Sequence, residues 1–244
     1  MNYLRIIPSL LLQNKKLVKG SNFKNFKNAG SPKTTIHAFN SQKSDEIFLM
    51  DLDGYNGNNQ DFKTLSHVSE VCNTPITYGG GLNNLEKIKL SFQNGADKVY
   101  LSSNIIRDTS LIERIANIYG NQSIVGGINL IADEKNCLVH NYKNIDPFEF
   151  AKKLETSGIG ELKITFVNLE GSRKGMNIKL CEKFLKIMNI PIIFEGGIGS
   201  LEDIENCLKI GVKNIALGTI LIFNDYNIFK IKQHLQNKNF NVRS

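Results

Sequence analysis

Short apolar runs alternate with amphipathic segments along the whole chain, and this alternation predicts a series of strand–helix units. The apolar runs are bounded by glycine, proline or polar clusters, which is typical of buried strands. Outside the internal repeat described below, the runs predict strands over Leu4 to Leu12, Glu46 to Asp51, Ser123 to Asn129 and Glu161 to Asn168. The amphipathic segments predict helices over Thr34 to Gln42, Leu65 to Val71, Leu111 to Tyr119, Pro147 to Thr156, Lys179 to Met188 and Phe229 to Gln236.

Two segments do not follow this alternation. Lys15 to Lys33 is rich in lysine, asparagine and glycine. It is too polar for a core element and predicts a long mobile loop, and such loops usually serve as lids or binding loops. Asp133 to Ile145 predicts a short hairpin or an extended loop.

An internal repeat organises the chain. The stretch from Pro75 to Glu86 recurs from Pro191 to Glu202, and the register continues without a gap until Ser102-Ser103 stands opposite Gly218-Thr219. Each copy reads as a strand, a glycine turn, a helix and a second strand, which is a βαβ unit. Together with the other units, the two copies predict one (β/α)8 barrel over residues 1–244, made of half-barrels at roughly 1–120 and 121–244.

The repeat also predicts where anions bind. Glycines and small hydroxyl residues at neighbouring strand ends leave backbone N–H groups free to face an anion, and in a barrel these ends lie on the C-terminal face. The alternative is that the glycines only allow tight turns.

Composition narrows the class of protein. The chain lacks an apolar run long enough to span a membrane and a secretory signal at Met1 to Pro8. Its four cysteines and four histidines are scattered without metal-ligand spacing, so we expect a cytoplasmic protein with reduced thiols, no metal and no cofactor. The net charge of +7 comes from lysines that alternate with acidic and amide residues. That pattern favours solvated helix faces and an anionic small-molecule substrate over nucleic acid.

Several stretches resemble a known family. They are Arg5-Ile-Ile-Pro8, Leu17-Val-Lys-Gly-Ser-Asn-Phe23, Phe48-Leu-Met-Asp51, Gly79-Gly-Gly81, Gly95-Ala-Asp-Lys98, Gly171-Ser-Arg-Lys-Gly175 and Gly196-Gly197. Over nearly its whole length the chain resembles the cyclase subunit of imidazole glycerol phosphate synthase, a lyase of histidine biosynthesis. The resemblance implies a substrate with a phosphate at each end. It also implies a partner glutaminase at the N-terminal face of the barrel, near Asp97, which sends ammonia through the barrel.

The resemblance implies three sets of site residues. One phosphate site would comprise Gly81, Ser102 and Ser103, where the family usually has Asn-Thr in place of the two serines. The other would comprise Gly171, Gly197, Gly218 and Thr219, while Lys19 would close over the substrate. The ammonia gate would comprise Arg5, Glu46, Lys98 and Glu161, four charges that could equally form an ordinary ion-pair ring at the barrel end.

This chain departs from the family's pattern where proton transfer takes place. Leu11 and Asn129 stand where the family has the two aspartates that act as general acid and base, and neither side chain can replace a carboxylate in that role. Asp51 and Glu170 are candidate replacements, although Asp51 could equally be a loop-capping carboxylate. Glu195 stands where a small serine is usual and places a negative charge beside the second phosphate site, which counts against that site unless Arg173 or Lys174 offsets the charge.

A second branch of the family matches better in two places, Pro8-Ser-Leu-Leu-Leu12 and Glu170-Gly-Ser-Arg-Lys-Gly175. That branch is associated with surface-polysaccharide pathways, where a dedicated glutaminase and amidotransferase convert the acetamido group of a nucleotide-linked sugar to an acetamidino group. The sequence leaves four interpretations open: an ammonia-using subunit of this branch, a histidine-pathway cyclase with relocated catalytic residues, a non-catalytic barrel that activates its glutaminase, and a different barrel chemistry such as an isomerase.

Overall fold

The structure, a computed structural model, describes residues 3–21, 24–133, 137–223 and 226–243. Its strands are β1 Arg5–Gln13, β2 Lys16–Ser21, β3 Lys24–Gly30, β4 Ile47–Asp51, β5 Ile76–Gly79, β6 Lys98–Leu101, β7 Ile124–Ala132, β8 Cys137–Val139, β9 Glu161–Phe166, β10 Ile192–Glu195 and β11 Asn214–Leu217. Its helices are α1 Pro32–Ser41, α2 Leu52–Tyr55, α3 Phe62–Ser69, α4 Leu85–Gln93, α5 Ser110–Tyr119, α6 Pro147–Thr156, α7 Ile178–Ile187, α8 Leu201–Lys209, α9 Thr219–Ile222 and α10 Ile228–Asn237.

Eight of the strands form a closed parallel barrel in the order β1, β4, β5, β6, β7, β9, β10 and β11. Pairing of β11 with β1 closes it, with Arg5 opposite Asn214 and Pro8 opposite Leu217. Helices follow the strands and cover the outside of the barrel. The predicted (β/α)8 fold is therefore confirmed, and the C-terminal strand ends meet on one face, where barrel enzymes carry their sites.

Alternation of side chains along each strand produces two apolar layers. Residues on the outward faces pack against the helices and form the larger layer. Residues on the inward faces form a compact apolar plug across the barrel, made of Ile7, Phe48, Tyr100, Val125, Ile193 and Ala216. Burying each of the larger side chains stabilises the fold by roughly 1.5–3 kcal/mol.

The segment from Lys15 to Lys33 differs from its prediction. It is not a loop over most of its length: β2 and β3 form an antiparallel hairpin that continues from β1, with Leu11 opposite Val18 and Lys19 opposite Lys27. Its side chains are mainly polar because one face of this two-stranded extension is exposed, and that polarity concealed the strands. Asn22 and Phe23, which also fell in the predicted loop, lie outside the described residues.

Other bounds shift by a few residues for identifiable reasons. The second long helix, α3, begins at Phe62 because the Asp61 side chain accepts a hydrogen bond from the backbone N–H of Thr64 and caps it. Strand β7 runs past Asn129 to Ala132 and pairs antiparallel with β8. The segment Asp133 to Ile145, predicted as a short hairpin or an extended loop, therefore supplies only the second arm of this pair. No helix among the described residues is both long and apolar enough to cross a bilayer.

Candidate active site

Four charged side chains meet at the N-terminal end of the barrel. Arg5 contacts both glutamates, with Nη1 3.0 Å from Oε2 of Glu46 and Nη2 2.6 Å from Oε2 of Glu161. The Lys98 ammonium completes the ring at 2.8 Å from Glu46 and 2.7 Å from Glu161. The four residues predicted as a gate therefore form one network, which we call the ion-pair ring.

The electrostatics of the ring favour its charged state. Burial alone would raise the pKa of Glu161, but the hydrogen bond from Arg5 and the charge of Lys98 lower it below its ordinary value. Burial opposes the charge of Arg5, yet the hydrogen bond to Glu161 raises the pKa of the guanidinium overall. Outside the ring lies an open groove of about 660 Å³ whose lining includes Tyr3, Arg5 and Glu161. Two members of the ring thus border this groove.

A pocket of about 210 Å³ opens at the C-terminal end of the barrel. Leu11 and Asn129 both line it, because β1 and β7 point these positions into the barrel mouth. Other lining residues include Phe26, Tyr55, Tyr100 and Ser102. His140, which sequence reasoning did not single out, also lines the pocket, and its backbone N–H donates to the Asn129 carbonyl at 2.8 Å.

Four further charges line one side of this pocket as two lysine–glutamate pairs, Lys19 with Glu170 and Lys163 with Glu195. All four side chains are buried. We call these residues the charge cluster.

Lys163 is the partner that the sequence did not reveal for Glu195. Its ammonium donates to the Glu195 carboxylate and, at 2.9 Å, to Oγ1 of Thr165. Burial acts against both charges, but the ion pair dominates, so the pKa of Lys163 is raised and that of Glu195 is lowered. Arg173 and Lys174, the residues named as possible partners of Glu195, are both exposed, and Lys163 offsets the charge instead. One sequence signal could have indicated this pairing: Lys163 lies two positions after Glu161 and therefore on the same inward face of β9.

Lys19 lies on β2 with its ammonium paired to Glu170, so its expected place in a mobile loop is wrong. Burial lowers the pKa of Lys19 to about 8, with the charge of Lys163 acting in the same direction and that of Glu195 opposing it. The absence of a side chain at Gly218 makes room for this ammonium, since an added Cβ there would lie 2.9 Å from Nζ. Lys19 is therefore held against the pocket wall.

Asp51 is fully buried and faces away from the pocket lining. Its carboxylate accepts hydrogen bonds from the N–H groups of Gly54 at 3.0 Å and Asp61 at 2.7 Å, and from the Tyr78 hydroxyl at 2.6 Å. Burial, followed by the charge of Asp51, raises the pKa of Tyr78. These three bonds favour the loop-capping interpretation of Asp51 over the catalytic one.

The residues of the second predicted phosphate site come together in a small cavity of about 20 Å³ beside the pocket. Gly171, Gly197, Gly218 and Thr219 all line it, and so do Glu170 and Glu195. Gly197 adopts φ +98°, and a Cβ there would lie 2.0 Å from the Gly175 carbonyl oxygen. The Thr219 hydroxyl oxygen is buried without a hydrogen-bond partner among the described residues. The Thr219 hydroxyl is therefore available to hydrogen-bond a small ligand group in the cavity.

The residues of the first predicted phosphate site lie on adjacent strand ends. Strands β5 and β6 pair with Gly79 opposite Tyr100, and Gly81 and Ser102 each follow two positions later. Of the three predicted residues, only Ser102 lines the pocket, while the Gly81 carbonyl accepts from the side chain of Gln60 at 3.1 Å. Within the part of the chain that the structure describes, no three His, Cys, Asp or Glu side chains are grouped as a metal site.

Comparisons with known proteins agree with this architecture. The family model described as "Histidine biosynthesis protein" matches residues 5–227. The chain is 33% identical over 242 residues to a protein of Campylobacter jejuni provisionally named imidazole glycerol phosphate synthase subunit hisF2, covering 98% of both chains. It is 31% identical over 249 residues to imidazole glycerol phosphate synthase subunit HisF of Flavobacterium psychrophilum, and 32% identical over 246 residues to HisF of Dictyoglomus turgidum, again covering 98% of each chain.

Proposed function

Because the chain belongs to the histidine-biosynthesis family of HisF-like cyclase subunits, we propose that it uses ammonia from a partner glutaminase on a phosphate-containing small molecule. We propose further that this chemistry serves the amidation of a nucleotide-linked sugar for a surface polysaccharide, in the cytoplasm. The family membership supports the first statement, and the composition of the pocket supports the second.

The observation that carries the proposal is the pairing of the pocket's carboxylates. Leu11 and Asn129, the positions that correspond by resemblance to the cyclase's acid and base, both line the pocket without a carboxylate. The two lining glutamates, Glu170 and Glu195, are each paired with a buried lysine. A carboxylate whose pKa is lowered by an adjacent ammonium is a weak base, so Glu195 is a poor substitute for either aspartate. Glu170 is already engaged by the Lys19 ammonium.

The opposite end of the barrel supports an ammonia supply. Arg5 and Glu161 of the ion-pair ring line the open groove, and the members of the ring are joined by short, charge-assisted contacts. A glutaminase docked over the groove would deliver neutral ammonia at the ring. Opening the ring by exchanging one of its ion pairs would admit the ammonia to the interior.

A labelling experiment tests the proposal. The chain would be combined with the glutaminase and the amidotransferase of its own organism, amide-15N-glutamine and a nucleotide-linked acetamido sugar. We expect 15N in an acetamidino product only when the chain is present. Equal labelling without the chain would contradict the proposal, and would leave the chain at most a structural activator of its glutaminase.

A histidine-pathway cyclase is the second candidate, and the names of the relatives from Flavobacterium psychrophilum and Dictyoglomus turgidum favour it. It requires a relocated acid and base. Glu170 is the candidate for that role that lines the pocket, whereas Asp51 does not. Replacing Glu170 by Gln would abolish cyclisation under this candidate, and formation of the imidazole product by the unmodified chain would establish it.

A further inference from the structure

At one end of the pocket, two carboxylates each border both the pocket and the adjoining small cavity. Glu170 and Glu195 line both the pocket and the adjoining small cavity with Gly197, Gly218 and Thr219. Any group that enters the cavity therefore lies beside two carboxyl side chains. This arrangement differs from a phosphate site built only from glycines and hydroxyls.

The two lysine ammonium groups of the charge cluster are already paired with carboxylates. The Lys163 ammonium donates to Glu195 and to Thr165, and it lies 4.8 Å from the ring centroid of Phe48 and 5.3 Å from that of Tyr100. The Lys19 ammonium is paired with Glu170. The charge cluster thus has two positive and two negative members and no net charge. Neither lysine lines the small cavity, whereas both glutamates do.

This distribution of charges disfavours the binding of a dianion, such as a phosphate group, in the small cavity. At separations of a few ångströms, like charges in a partly buried site repel strongly, and a neutral cluster offers no compensating long-range attraction. Hydroxyl and amide groups can instead donate to the carboxylates and accept from the ammoniums without an unpaired charge. The buried Thr219 hydroxyl adds another hydrogen-bonding group. The side chains of Phe26 and Tyr55 on the pocket wall provide apolar faces of the kind that pack against a sugar ring.

We propose that the end of the pocket formed by the charge cluster and the small cavity binds an uncharged, hydroxyl- or amide-bearing group, and that the substrate has an anionic group only at the Ser102 side. The inference deepens the proposed function, because it names the substrate class as a molecule with one anionic group and a sugar-like remainder. A substrate with a phosphate at each end is excluded from this pocket by the two carboxylates.

Inorganic phosphate is a suitable probe because its binding requires neither a partner nor turnover. Titration calorimetry would give its affinity, and crystals grown with phosphate would locate it. We compare the unmodified chain with the double variant Glu170→Gln, Glu195→Gln. The control is the double variant Glu149→Gln, Glu202→Gln, which removes the same charge from exposed helix positions. The single variants Glu170→Gln and Glu195→Gln keep one lysine–glutamate pair intact and are used if the double variant does not fold.

We expect no phosphate in the small cavity of the unmodified chain or of the control. We expect phosphate there in the Glu170→Gln, Glu195→Gln variant, bound at least about tenfold more tightly, and a smaller gain in each single variant. Phosphate in the cavity of the unmodified chain would overturn the inference. Failure of every glutamine variant to gain phosphate would overturn it as well, since the carboxylates would then not be the obstacle. The outcome does not depend on the glutaminase or on labelling of a sugar, so this inference and the proposed function can fail separately.

Discussion

Lys163 and Glu195 lie on neighbouring parallel strands and form a buried ion pair inside the barrel. Glu195 is in register with Thr165, two positions after Lys163, so the lysine side chain reaches along the barrel axis to meet it. The rings of Phe48 and Tyr100 pack edge to face at 5.0 Å between centroids and lie beneath the ammonium. The pair therefore lies between the apolar plug and the pocket.

Removing one member of this pair should destabilise the protein far more than removing both. Lys163→Met leaves the Glu195 carboxylate buried without its main partner, and we expect a loss of about 3–5 kcal/mol in the free energy of unfolding. Lys163→Met combined with Glu195→Gln should recover most of that loss, because no buried charge is left unpaired. Urea unfolding of the two single variants and the double variant measures this coupling. Additive losses would show that the two charges do not interact.

Stability should fall with acid through the ion-pair ring. The pKa of Glu161 is lowered in the folded state below its ordinary value of 4.5. Its contribution is therefore fully present above about pH 4.5 and is lost as the pH falls through the folded-state value. Glu161→Gln should reduce stability at pH 7 and flatten the pH dependence below 4.5. Urea unfolding at each pH measures this dependence. If the free energy of unfolding of the variant falls below pH 4.5 as steeply as that of the unmodified chain, Glu161 is not the source of the acid sensitivity.

Asp51→Asn should affect folding rather than the pocket. The substitution weakens bonds from Gly54, Asp61 and Tyr78, and we expect a loss of about 1–3 kcal/mol in the free energy of unfolding. At temperatures where the variant is folded, its affinity for the nucleotide-linked acetamido sugar should stay within about twofold of that of the unmodified chain. Loss of ligand binding with unchanged stability would restore Asp51 as a site residue.

Gly197 and Gly211 provide a matched test of close packing. Both have positive φ, +98° and +91°, but an added Cβ at Gly197 would lie 2.0 Å from the Gly175 carbonyl oxygen, whereas nothing lies within 4 Å at Gly211. Gly211→Ala carries only the backbone strain, roughly 1–2 kcal/mol. Gly197→Ala adds the collision and should be clearly less stable. Equal thermal unfolding midpoints for the two variants would show that the turn at Gly197 accommodates a methyl group without additional loss of stability.

The barrel could be predicted from the sequence because its signals are local and repeated. The two glycine turns and the apolar runs specify strand and helix periods, and the repeat fixes their order. The β2–β3 hairpin was missed because its alternation is hidden by polar side chains on a largely exposed extension, in which the polar Lys19 is nevertheless buried. The structure of that segment depends on tertiary contacts, which a local sequence pattern does not reveal.

Site residues were predictable where a motif named them and unpredictable where a partner lay far along the chain. The structure brings the four ring residues together, and likewise the four residues of the small cavity, while their roles as an ammonia gate and a phosphate site stay predictions. The partner of Glu195 lies 32 residues away on the neighbouring strand, and choosing between Lys163 and the nearer Arg173 required knowing which strand faces point inward. Asp51 was open to two interpretations for the same reason, since its three donors lie in α2, at the start of α3 and on β5.

Cyclisation of the two-phosphate ribulosyl substrate of the histidine pathway is the reaction to measure first. Saturating ammonium at alkaline pH removes the need for a glutaminase, and the unmodified chain is compared with the double variant Leu11→Asp, Asn129→Asp. We predict no imidazole product from either protein, because the unmodified chain lacks the two aspartates and both proteins retain Glu170 and Glu195 beside the second phosphate position. Turnover by the double variant alone would show that the pocket accepts two phosphates and lacks only its proton carriers. Turnover by the unmodified chain at an enzymatic rate would contradict the proposed function and identify a histidine-pathway cyclase.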